Sequence, residues 1–275
     1  MTQRQHPGIV TPSVGLLLLT ASLLILARLS SGAPSLATPS SDMAFVPAGT
    51  FIYGSAKGDP DERPSRSVHL DAYYIDKYEV TNERYLRFFQ SIPGLCDGYV
   101  CLDTKAENAD SRIVYEDGHY VVEAGYEEHP ITLVSWYGAQ AYCESQRKRL
   151  PTEAEWEKAA RGHDGRTYPW GEMIDGGRLN AGNRVGGTTP VGSHPAGKSP
   201  YGAVDMAGNV WEWTADWYQA YPGSSHDSPF FGEKYRVVRG GSWNHPDRDS
   251  RTTMRDLAHP ARRIHVVGFR CARSP

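Results

Sequence analysis

Polarity along the chain changes character several times. Residues 14–27, "VGLLLLTASLLILA", are uncharged and leucine-rich. Residues 45–55, "FVPAGTFIYGS", read as two short strand pieces around a Pro-Ala-Gly turn. Residues 66–80, "RSVHLDAYYIDKYEV", alternate apolar and polar side chains, the period of a half-buried strand. Thr81 then stands where an N-cap belongs, before a short helix with Tyr85, Phe88 and Phe89 on one face. Residues 129–162 carry the strongest helical signal. Ser135 caps a helix from about Trp136 to Arg147, and Pro151 follows a break. Thr152 and Glu155 have the spacing of a capping box for a second helix ending near Gly162. Glu153, Glu155 and Glu157 suit the positive end of that helix, so capping explains them better than acid–base catalysis does.

Two stretches lack a period. Residues 91–128 read as an insertion or a long surface loop. From His163 onward Gly, Asn, Asp, Pro and Trp dominate, and regular structure is expected to be sparse. A structureless stretch of that length needs a stabilising device. Aromatic packing beneath the loops is one, and bound cations are another.

The apolar run has a polar start before it, and small residues and prolines follow it in "RLSSGAPSLATPSSD". That is the layout of a secretory signal cleaved near Ala33 or Ala37. A run begun at Gly8 reaches about twenty residues, enough for a retained membrane anchor. Both readings divide the chain into a targeting segment with a linker, residues 1–41, and a domain, residues 42–275, held outside the cytoplasm. The net charge of −3, with Lys and Arg scattered, offers nothing for nucleic acid or an anionic membrane. Membrane contact would come only through an N-terminal anchor.

The four cysteines suit an oxidised, exported chain. Cys96 and Cys101 flank a turn and can close a local loop. Cys143 and Cys271 either join a helix to the last strand or remain separate buried thiols. No Cys or His spacing resembles a zinc site.

Six motifs then occur in order: "RLPTEAEWEKAARG" (149–162), "YPWG" (168–171), "TTPVGS" (188–193), "YGAVDMAGNVWEWTADWY" (201–218), "RVVRGGSW" (236–243) and "GFRCA" (268–272). Together they resemble the sulfatase-modifying-factor family, which includes the formylglycine-generating enzyme. The resemblance implies an irregular α/β domain of C-type-lectin-like fold, with little regular secondary structure. It implies a Cys143–Cys271 disulfide and leaves Cys96–Cys101 to spacing. It also implies structural calcium, which takes oxygen ligands. One matching set is Asp205, Gly208, Val210 and Glu212. The weaker is Asn180, Ala181, Asn183 and Val185, which contains no carboxylate. Asx turns held by their own backbone are the plainer account of both stretches.

The family's Cu(I) site uses two cysteines after Gly-Gly-Ser. The matching positions are His245 and Ser250, so copper and true formylglycine synthesis are not expected. Trp211, Ser242, Trp243, Asn244, His245 and Ser250 are the expected pocket residues. An oxidoreductase-type or maturation enzyme with other chemistry is one reading, with His245 moving a proton or holding a metal. A calcium-stabilised module binding a protein, peptide or small molecule is the alternative, followed by an accessory envelope protein. Arg251 and Arg255 are expected to pair with Asp247, Asp249 or Asp256, and the tryptophans of "VWEWTADW" to be core.

Overall fold

The computed structural model describes residues 42–275 apart from Pro93. The targeting segment lies outside the described residues.

The two ends of the domain share a sheet. Strand β1 (Met43–Val46) pairs antiparallel with β4 (Tyr73–Asp76), and β13 (Ala272–Arg273) closes the other side of β4. A separate hairpin joins β2 (Gly49–Tyr53) to β3 (Arg66–Leu70). The alternating run of residues 66–80 is therefore two strands in two sheets, not one. Helix α1 (Asn82–Phe89) follows, with the Thr81 side chain accepting from Arg84 N.

The stretch of residues 91–128 is more ordered than its sequence suggests. It holds two hairpins, β5 (Leu95–Cys96) with β6 (Tyr99–Val100) and β7 (Ile113–Glu116) with β8 (His119–Val122). The Cys96–Cys101 disulfide ties the first across its turn. Helices α2 (Trp136–Ser145) and α3 (Glu153–Arg161) have the expected Ser135 and Thr152 caps, and the Thr152–Glu155 capping box is complete. The Cys143–Cys271 disulfide joins α2 to the C-terminal segment. All four cysteines are thereby paired.

The region after His163 is sparse in regular structure, as expected, and its short strands form a four-stranded sheet. Its order is β11 (Arg255–Ala258), β10 (Arg236–Arg239), β9 (Trp211–Trp217), β12 (Val267–Gly268). Residues 211–214 are buried on both faces, so no alternation marks the strand. Trp211 and Trp213 lie in the main core with Tyr85, Tyr142 and Phe269. Trp156 fills a second cluster under β1 and β4, with Val46, Tyr73 and Ile75.

Asp216, near the end of β9, accepts from Glu153 N at 2.6 Å and so seats the start of α3. Burial, with Glu153 next in effect, raises its carboxyl to about 6. A raised carboxyl binds its proton more tightly folded than unfolded, so stability falls as pH rises from about 4 to about 6. Asp216→Asn keeps an acceptor without the charge. It should exceed the wild type in stability by about 1–2 kcal/mol at pH near 7.5 and match it near pH 4, measured by urea unfolding. An equal difference at both pH values would contradict this.

Candidate functional site

Residues 240–251 form a loop that leaves one guanidinium and returns to it. Arg239, at the end of β10, is fully buried. It donates to Glu153 Oε1 at 3.0 Å and to Glu157 Oε2 at 2.5 Å on α3. It also donates to the carbonyls of Thr252 at 2.7 Å and Thr253 at 3.1 Å, where the loop ends. Arg255 adds a 2.7 Å contact to Glu153, and Arg161 a 2.9 Å contact to Glu157. Burial alone would raise the Glu153 carboxyl, but Arg255 and Arg239 outweigh it and hold it low. Glu153 and Glu157 are thus buried counterions, and only Glu155 of the three acids is a capping residue. The arginines also pair differently from expectation. Arg255 takes Glu153, Arg251 takes Asp59 and Glu62, and Asp247 takes Arg184.

Gly240 and Gly241 have φ of +102° and +76°, which side chains rarely adopt. A Cβ on Gly241 would lie 2.7 Å from Ser250 Oγ. The loop can fold over Ser250 only with glycine there. Ser250 is fully buried, and its hydroxyl has no partner among the described residues.

Ser242, Asn244 and His245 form one unit. Ser242 Oγ donates to Asn244 Oδ1 at 2.9 Å, and His245 Nδ1 lies 2.6 Å from the same Oγ. A hydroxyl has one hydrogen, so a Ser242 that donates to Asn244 can only accept from the imidazole at Nδ1. His245 is half-buried and meets the edge of Trp211 at 5.7 Å between ring centroids. Trp211 is buried, with its Nε1–H unpartnered among the described residues. Trp243 is half-buried and faces His265, while Asn244 is exposed. Of the expected pocket residues, Ser242, Asn244, His245 and Trp211 are neighbours, whereas Trp243 faces His265 and Ser250 lies beneath Gly241. Ser242 and Ser250 are nevertheless covered, and Ser242 is not placed as a nucleophile.

Both proposed calcium loops brace this strip. Gly182 N donates to His245 O and Asn183 N to Trp243 O, each at 2.7 Å. Trp243 N donates to Asn209 O at 2.9 Å, and Gly208 N to Gly240 O at 2.8 Å. The set of Asn180, Ala181, Asn183 and Val185 fits a cation poorly, because the Ala181 carbonyl already accepts from the Arg184 guanidinium. Val185 is exposed.

The other set has more to offer, with one change of partner. Glu212 receives Arg270 through both oxygens, at 2.7 and 2.8 Å, and Trp156 Nε1 at 2.9 Å. Asp205 Oδ2 accepts from Gly192 N. Glu79, which the motif does not include, is buried beside them, and among the described residues its Oε1 is unpartnered, as is Asn180 Oδ1. Burial, then Asp205 and Glu212, push the Glu79 carboxyl well up, and burial also raises Asp205. Three buried carboxyl groups surround one guanidinium, and the raised Glu79 and Asp205 mark the cost of ionising all three. Among the described residues no three His, Cys, Asp or Glu side chains converge as a metal cluster. An ion here would take carbonyl and amide oxygens as well as carboxylates.

The profile of the sulfatase-modifying factor enzyme 1-like domain matches residues 30–275. The chain belongs to this family. The formylglycine-generating enzyme of Bos taurus is 32% identical, over 88% of this chain and 76% of its own length. The inactive C-alpha-formylglycine-generating enzyme 2 of Bos taurus is also 32% identical, over 84% and 87%. A serine/threonine-protein kinase pkn1 of Chlamydia caviae is 40% identical over 84% of this chain, but the chain spans only 38% of that relative. The structure of PvdO from Pseudomonas aeruginosa superposes with a TM-score of 0.65 at 26% identity, covering 85% of this chain and 94% of that one. Relatives with oxidoreductase-type names, such as hercynine oxygenase of Mycobacterium tuberculosis, also belong to this group of matches.

Against this family background, the strip keeps Gly240, Gly241 and Ser242 but presents imidazole and hydroxyl at 245 and 250. The chain's only four thiols are held in disulfides. Cu(I) therefore finds no thiolate here, and the residues present do not fit the family's copper site.

Arg239→Met would leave Glu153 and Glu157 short of their shared cation inside the protein. It should cost about 3–5 kcal/mol in urea unfolding, the range for breaking a buried ion pair. A loss below about 1 kcal/mol would mean the guanidinium does not hold the loop.

Proposed function

We propose that this chain is an extracytoplasmic, calcium-stabilised member of the family that binds a ligand at its glycine-glycine-serine strip and does not make formylglycine. The pairing of all four cysteines carries this reading, because it removes every thiolate from the strip's chemistry. The two disulfides suit an oxidising compartment. Among the described residues no helix is long and apolar enough to cross a membrane. The rigid backbone lattice under residues 243–245 supports side-chain display, with Asn244 exposed and His245 half-buried.

A second reading, a divergent enzyme, draws on the Ser242–His245 contact. The hydroxyl engages Nδ1 and leaves Nε2 to accept a proton or meet a metal ion. A cysteine-containing sulfatase peptide incubated with copper, oxygen and the purified domain separates these readings from the family's best-known reaction. Mass spectrometry should show no loss of thiol and no aldehyde. Aldehyde formation would overturn the proposal.

For calcium, the buried Glu79 Oε1 and Asn180 Oδ1, without partners among the described residues, support a divalent ion held by Glu79, Asp205 and neighbouring oxygens. At a hundredfold excess over Kd, calcium should add about 3 kcal/mol to stability relative to chelator. Glu79→Gln should remove most of that gain. Identical unfolding curves in calcium and chelator would contradict calcium binding.

A further inference from the structure

Strand β10 carries two arginines, and the fold treats them differently. Arg239 meets two glutamates. Arg236 is half-buried, and among the described residues no carboxylate lies within ion-pair reach of it. Burial lowers its guanidinium, and Tyr137, Asp216 and Glu233 act from too far to offset this. Asp216 is in any case engaged by Glu153 N. A cation held this way needs partners of another kind.

Two indoles supply part of the answer. The guanidinium carbon lies 3.4 Å from the Trp217 ring centroid and 3.8 Å from that of Trp136. Rings that close to one carbon cannot share a face, so the cation lies between them. Trp217 is its partner across the β9–β10 ladder, and Trp136 is fixed by its Nε1–H, which donates to Thr214 O at 2.8 Å. The edge of the guanidinium is only half used. Nη1 donates to the Ala215 carbonyl at 2.6 Å. Among the described residues the buried Nε–H has no partner, and no hydrogen bond engages Nη2. Nε–H and the adjacent Nη2–H form the fork that grips a carboxylate through two parallel bonds. The flanking indoles admit a planar group in that plane and crowd a tetrahedral one. Tyr137, next to Trp136, stacks on Tyr99 at 4.0 Å, and Tyr99 is 44% exposed, so an aromatic surface borders the slot.

We propose that the free edge of Arg236 binds the carboxylate of a small, flat, ring-bearing acid. This site is separate from the strip and does not rest on the reading of the strip. NMR titration of the isotope-labelled full chain, followed at its indole N–H signals, tests it with sodium benzoate, benzyl alcohol and sodium sulfate at ionic strength fixed with chloride. Benzoate should give saturable, one-site shifts. Benzyl alcohol lacks the charge and sulfate is tetrahedral, and each should bind at least about tenfold more weakly. Arg236→Lys keeps the charge without the fork, and Trp217→Leu removes one wall; each should weaken benzoate at least about fivefold. Arg87→Ala, which removes an exposed cation on α1, should leave it unchanged. Thermal melts establish that each variant is folded. No saturable benzoate binding would overturn the site. So would equal affinity for benzyl alcohol or sulfate, unchanged affinity in a folded Arg236 or Trp217 variant, or equal weakening by Arg87→Ala.

Discussion

The burial of Arg239 is the constraint on which the rest of the site depends. An uncompensated guanidinium in the interior would be prohibitively costly, and Glu153 and Glu157 must therefore face inward from α3. Their positions follow from the Thr152 cap, which fixes where α3 begins. Asp216 holds the same helix start from β9. The carbonyls of Thr252 and Thr253 complete the set, so the loop of residues 240–251 closes on the charge that opens it. Helix start, sheet end and strip are one electrostatic unit.

A second unit lies beside the first and shares Trp156. Its indole N–H binds Glu212, its ring passes beneath Gly240, and Arg239 stands over it. Glu212 in turn fixes Arg270, which reaches the carbonyls of Asp76, Lys77 and Val204. The disulfide at Cys271 follows immediately in the chain. This explains how a domain with short strands and three helices of ten residues or fewer keeps a fixed loop surface. Buried ionic groups do the positioning that longer elements do elsewhere.

Much of this was legible in the sequence, but unevenly. The caps at Thr81, Ser135 and Thr152 declare themselves through local rules and stand where expected. Strand β9 does not, because burial on both faces erases alternation. The hairpins of residues 91–128 were hidden by brief strands whose pairing depends on turns and a disulfide. Ion pairs were the least readable feature. Arg251 and Arg255 have acids within a few residues, yet their partners, Glu62 and Glu153, lie 189 and 102 residues away. Glu79 was missed for the same reason, since it lies far from the motif that contains Asp205 and Glu212. The six ordered motifs pointed to the family, while the Ser242–His245 contact and the covered state of Ser250 required the packed structure.

The central claim is that a family scaffold remains while its thiolate chemistry is absent at residues 245 and 250. Anaerobic Cu(I) titration against a chromogenic chelator tests it most directly, on the wild-type chain and a His245→Cys/Ser250→Cys double variant. The account predicts that the wild type yields all Cu(I) to the chelator and that the folded double variant retains one equivalent. Stoichiometric retention by the wild type, or none by the folded double variant, would contradict it.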